Sequence, residues 1–172
     1  HLQETLRRAA AHKGASFVEI YQNCIIFNGE AWDDITDAGT REDSVLYLEH
    51  GKPMIFGKDK NKGIRLNGLE PEVVTLGENG VTEADLLVHD EFSRTQNLAY
   101  ILSRMGPPHF PTPLGVFRSV EQPTFSDLLV GQVETATKKY GAGDLAKLYR
   151  AADTWEVSAE EAAVKPLDAA TV

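Results

Sequence analysis

The residue of this chain with the most chemistry to offer is Cys24, the single cysteine among 172 residues. It follows the β-branched and aromatic run Ser16–Tyr21 (SFVEIY), which Gln22-Asn23 breaks. In an open α/β sheet, ligands gather at the carboxyl ends of the strands, so a thiol there is better placed for chemistry than one in mid-core. A lone cysteine cannot close a disulfide within the chain or hold a metal cluster by itself. Two readings follow: a small buried apolar residue, or a functional thiol whose partners lie on other polypeptide.

The remaining titratable groups form weaker constellations. Asp59, Asn61 and Glu70 fall at positions one, three and twelve of a calcium loop, but Ile64 stands at the sixth, where that loop turns on glycine. A hairpin turn is the reading there. Asp33, Asp34, Asp37, Glu42 and Asp43 make an acidic loop, read as a solvated face rather than a cation site. His89-Asp90-Glu91 could supply an acid and a base, yet neighbours on a helix do not face one another. His50 has no partner at metal-ligand spacing, and His109 lies in a proline-rich stretch suited to an interface. No HExxH, GxSxG, GxGxxG or Walker-type loop occurs, so the usual hydrolase, dinucleotide and NTPase signatures are absent.

The elements that must position these groups follow from periodicity. Leu2, Leu6, Ala9 and Ala10 recur at helical spacing, with Arg8, His12 and Lys13 near the end and Gly14 as terminator. A helix, a tight glycine turn and the strand Ser16–Tyr21 are the αβ half of a βαβ unit. The runs Ser44–Leu48, Pro53–Phe56, Ile64–Leu66 and Val73–Leu76 are too close together for helical crossovers and predict an antiparallel meander. Thr82 with Asp85 forms a capping box opening a short helix through Asp90. A helix over about Thr95–Met105 carries Leu98, Ile101, Leu102 and Met105 on one side. The segment Gly106–Pro113 (GPPHFPTP) holds four of the eight prolines and must run extended, outside helix or central strand. A short strand at Gly115–Arg118, helices over about Phe125–Tyr140 and Asp144–Thr154, and a frayed tail from Ser158 complete the chain.

Composition bounds the function classes. A hydrophobic content of 42 % and a charged content of 25 % are ordinary for a soluble globular protein. A net charge of −9 repels phosphate backbones, which argues against nucleic acid as a partner. No apolar run approaches the roughly 18 residues that a membrane span needs, and the chain opens directly on a helical pattern, so neither a membrane partner nor a signal peptide is expected. One cysteine fits the reducing cytoplasm.

Three segments carry a family resemblance. EIYQNCIIFN (Glu19–Asn28), LEHGKPMIFG (Leu48–Gly57) and FPTPLGVFRSVEQPTF (Phe110–Phe125) resemble the C-terminal half of one subunit. That subunit is the thiamine diphosphate-binding beta subunit of 2-oxoacid:ferredoxin oxidoreductases, most closely the 2-oxoglutarate type of actinobacteria. The resemblance covers about residues 1–150. It implies an α/β fold: the last helix–strand unit of the thiamine diphosphate-binding parallel-sheet domain over residues 1–28, an extension of meander and helices over 29–157, and a flexible tail over 158–172. In such a subunit thiamine diphosphate is held through Mg²⁺, one [4Fe–4S] cluster passes electrons to ferredoxin, and CoA takes the acyl group; the alpha subunit is the partner. Cys24 matches the fourth cluster cysteine, in the pattern EIYxxC, and Asn28 is placed near the cofactor. The CxxC motif, a third cysteine and the Gly-Asp-Gly…Asn stretch that grips Mg²⁺ and diphosphate are not in the sequence. The resemblance therefore implies a C-terminal fragment that by itself holds neither cluster nor thiamine diphosphate. The competing reading is a free-standing, non-enzymatic binding or assembly module with Cys24 as a buried structural residue.

Overall fold

Helix α1 (Leu2–Ala11) forms where the spacing of Leu2 and Leu6 predicts it and ends in an extended His12, with Gly14 at φ +123° just beyond. The computed structural model describes residues 1–162, which group into one unit over His1–Thr124 and a second from Phe125 onward. In the first unit, α1 leads into an irregular segment, and the short helices α2 (Asp33–Thr36) and α3 (Arg41–Ser44) precede strand β1 (Val45–Tyr47). Strands β2 (Ile55–Phe56), β3 (Lys62–Asn67) and β4 (Glu70–Thr75) follow, then α4 (Asn97–Ser103) and β5 (Thr112–Leu114). The second unit holds α5 (Phe125–Tyr140), α6 (Leu145–Tyr149), whose Asp144 accepts from the Ala146 and Lys147 amides, and α7 (Ala159–Ala162). The part of the expected tail beyond residue 162 lies outside the described residues.

The α/β class expected from the sequence is the one observed, with an internal rearrangement. The antiparallel meander is β2-β3-β4 only, with Ile55 opposite Gly63 and Ile64 opposite Val73. The first of the four runs leaves it: β1 pairs in parallel with β5, Val45 beside Thr112 and Tyr47 beside Leu114. Thus part of the proline-rich segment, extended as expected, is an edge strand. Pro113 is tolerated because β5 has a neighbour on one side alone, so its missing N–H breaks no second ladder.

The core explains both sheets. Leu46 and Leu48 from the β1 region, Met54, Phe56 and Ile64 from the meander, Leu102 from α4 and Met105 just beyond it form one buried cluster. Leu98, Ile101, Phe110 and Phe117 pack against it. The α4 face predicted from periodicity is therefore the buried one. Around Thr82 the capping box exists, with Asp85 accepting from the Thr82 amide and hydroxyl. Those bonds hold the Asp85 carboxyl below its ordinary range. The box opens only a single 3₁₀ turn, Glu83–Asp85, because the chain then extends to bridge Val88 to Pro53.

Gly115 is the glycine this packing depends on. Its φ of +145° is one that side-chain-bearing residues rarely adopt, and an added Cβ would lie 2.9 Å from Leu48 Cβ and 3.1 Å from Leu48 O. Gly115→Ala is expected to destabilise the first unit by about 2 kcal/mol, through backbone strain and overpacking together. A denaturant midpoint that falls without a change in slope would register it.

Candidate functional site

The run Ser16–Tyr21 is not a strand. No other strand among the described residues lies beside it, and Phe17 is 92 % exposed. Its β-propensity is real, but a strand is stable only when its backbone groups find a ladder. Cys24 consequently does not sit at the end of a sheet strand.

A pinned loop places it instead. The Tyr21 and Trp32 rings stack with centroids 4.2 Å apart. Between them, Asn23 closes the loop from one side chain: its Oδ1 accepts the Trp32 amide at 2.9 Å and its Nδ2 donates to Asp33 Oδ1 at 3.1 Å. Inside this clasp the Cys24 amide donates to the Asn28 carbonyl at 3.1 Å and the Asn28 amide to the Cys24 carbonyl at 2.8 Å. The structure thus brings together the two residues singled out from sequence, Cys24 and Asn28, as the two ends of a tight turn.

The turn acts on the sulfur. The backbone of Phe27, then that of Ile26 and Asn28, holds the Cys24 thiol below its ordinary pKa. Cys24 is exposed, which overturns the reading of it as a buried structural residue. Ile25, Ile26 and Phe27, the residues within the turn, are 93 %, 80 % and 90 % exposed. A reactive thiol needs this combination of accessibility and a thiolate-favouring surround.

The other candidates have structural uses. His89 lies on irregular chain and Glu91 in a turn, neither on the expected helix, and both are buried. His89 Nε2 bonds the Val116 carbonyl oxygen at 2.8 Å, while the Glu91 carboxylate takes Arg8 Nη2 at 2.8 Å and so ties α1 to the unit. His50 does find a neighbour, with Nδ1 3.6 Å from Asp90 Oδ1 and its ring edge-on to Phe92; His109 is exposed. The acidic stretch is used piecemeal: Asp33 bonds Asn23, Asp37 accepts the Gly39 amide and Asp43 pairs with Lys62 at 2.9 Å. Among the described residues no group of three or more His, Cys, Asp or Glu side chains could hold a metal ion. A cluster needing four thiolates would find one ligand here, and Cys24 fits that single position in chemistry and exposure. Asn23 and Trp32 escaped the sequence reading; the only available signal was an asparagine directly before the cysteine.

No helix among the described residues is long and apolar enough to cross a membrane. No protein-family model matches the chain, and no solved structure matches it. The chain is 35 % identical over 159 residues to the 2-oxoglutarate oxidoreductase subunit KorB of Mycobacterium tuberculosis. The match takes in 91 % of this chain and 42 % of KorB, so the chain spans less than half of that relative's length. The resemblance seen in three short segments thus extends over nearly the whole sequence, and the chain is similar to part of that KorB subunit.

Proposed function

We propose that this chain is the C-terminal portion of the beta subunit of a 2-oxoglutarate:ferredoxin oxidoreductase, and that Cys24 supplies one of the four thiolates of its [4Fe–4S] cluster. In the complete enzyme, thiamine diphosphate and Mg²⁺ supply the decarboxylation chemistry and the cluster relays electrons singly to ferredoxin, while CoA takes the acyl group. What this chain contributes is an accessible sulfur whose pKa lies below the ordinary thiol value, the form of the group that an iron ligand needs being the thiolate. The observation that carries the reading is the closed Cys24–Asn28 turn, which displays the cysteine to solvent.

A second feature supports it. Phe17, Ile20, Ile25, Ile26 and Phe27 are all exposed around that cysteine, and apolar surface of this kind is ordinarily covered by further protein. The remainder of the subunit and the alpha subunit are the covering partners in this reading. Asn28, whose backbone closes the turn, is assigned to the side of the site facing thiamine diphosphate. The domain limits 1–28, 29–157 and 158–172 belong to the same proposal.

The test is the complete subunit purified together with its alpha partner. It is expected to contain iron and thiamine diphosphate, and to reduce ferredoxin only when 2-oxoglutarate and CoA are both present. Ferredoxin reduction that ignores 2-oxoglutarate, or a preparation free of iron, would refute the assignment.

A further inference from the structure

We infer that Asn23 is the positioning residue for the Cys24 thiol, acting through a side-chain clasp onto Trp32 and Asp33. The inference deepens the proposed function, and its geometric half stands without it.

In sequence, Asn23 reads as half of a strand-breaking dipeptide. In the structure it does something no neighbour does: a single half-buried amide spends its acceptor on the Trp32 amide and its donor on the Asp33 carboxylate. The Trp32 amide opens α2, where backbone donors lack intrahelical partners, so Asn23 satisfies a group that the helix itself cannot. The stacked Tyr21 and Trp32 rings close the same span a second time. These contacts gather a stretch of the size of an Ω-loop, whose ends must be held together against chain entropy.

The consequence for Cys24 is directional. Asn23 is its immediate neighbour, so fixing the Asn23 side chain fixes the backbone from which Cys24 departs. The Cys24–Asn28 bridge can then form, closing the turn that displays the thiol to solvent. Without the clasp, three exposed apolar residues would leave this turn nothing to pack on. Asp33 thereby acquires a role that its acidic neighbours lack. It orients Asn23 by accepting from Nδ2, which leaves Oδ1 free for the Trp32 amide.

Amide hydrogen exchange of the 172-residue chain, followed residue by residue by NMR, tests this. Asn23→Ala is expected to speed exchange at Cys24 and Asn28 by about tenfold, with Ile64 in the core unchanged. The swap Asn23→Asp with Asp33→Asn exchanges donor and acceptor across the pair while keeping the acceptor for Trp32, and is expected to restore protection. Asn23→Asp alone sets two carboxylates against each other and is expected to open the loop. Unchanged exchange at Cys24 and Asn28 in Asn23→Ala, or no rescue by the swap, would overturn the inference. In the complete subunit, Asn23→Ala is expected to keep most of the iron yet shift the reduction potential of the cluster; an unmoved potential counts against the inference. Failure of the parent proposal looks different: iron content would then be indifferent to Cys24→Ser while the exchange response to Asn23→Ala persisted.

Discussion

Cys24→Ser, made in the complete subunit, is expected to remove most of the cluster iron, bleach the broad visible absorbance that iron–sulfur bonds give, and nearly abolish electron transfer to ferredoxin. The physical basis is the ligand. Cluster irons are held by thiolates, and a serine hydroxyl of almost the same size is not ionised near neutral pH. In the wild type, the backbone of Phe27, Ile26 and Asn28 favours the thiolate further by lowering the Cys24 pKa. The fold supplies its own control. Because Cys24 is exposed and, among the described residues, its backbone bonds are to Asn28, the same substitution in this chain should change stability by no more than about 0.5 kcal/mol. Loss of iron with an unchanged melting curve is therefore the expected pair of results. Retained iron would remove Cys24 from the ligand set.

Ile64→Ala is the second large effect, and it falls on stability. Ile64 has no exposed surface and sits in the middle of β3, its amide bonded to the Met54 carbonyl and its carbonyl receiving the Leu87 amide. Its side chain joins Leu46, Met54, Phe56 and Leu102 in the one cluster on which β1, the meander and α4 all converge. Truncation removes buried methyl groups and leaves a cavity that hydrogen-bonded chain on both sides cannot collapse to fill. A cost of about 3 to 4 kcal/mol is expected, a large fraction of what a domain of this size has to lose. Calorimetry should show the melting temperature falling by roughly 10 °C. Phe27→Ala, which deletes a larger side chain that is 90 % exposed, should leave the melting temperature nearly where it was. A comparable loss from Phe27→Ala would mean that the Cys24 turn is packed rather than displayed.

Local pattern was enough for much of this chain. The spacing of Leu2 and Leu6 and the glycine after Lys13 located α1, and the apolar face of α4 emerged from Leu98, Ile101, Leu102 and Met105. Glycine-punctuated short runs gave the β2-β3-β4 meander. The wording of three segments, Glu19–Asn28, Leu48–Gly57 and Phe110–Phe125, suggested the family resemblance that 35 % identity over 159 residues to KorB then supported. Each of these signals is carried by residues close together in the chain, where helical periodicity, capping and hairpin closure act.

Tertiary structure decided the rest, because the deciding partners are distant in sequence. Whether Ser16–Tyr21 becomes a strand depends on a neighbouring ladder, and none is present among the described residues. Whether Val45–Tyr47 joins the meander or pairs with Thr112–Leu114 depends on which contact best buries Leu46, a choice spanning more than sixty residues of chain. The setting of Cys24 was of the same kind. The sequence determined that one cysteine follows Tyr21-Gln22-Asn23 and precedes three apolar residues. Only the fold determined that Asn23 reaches Trp32 and Asp33, that the turn closes at Asn28, and that the thiol faces solvent.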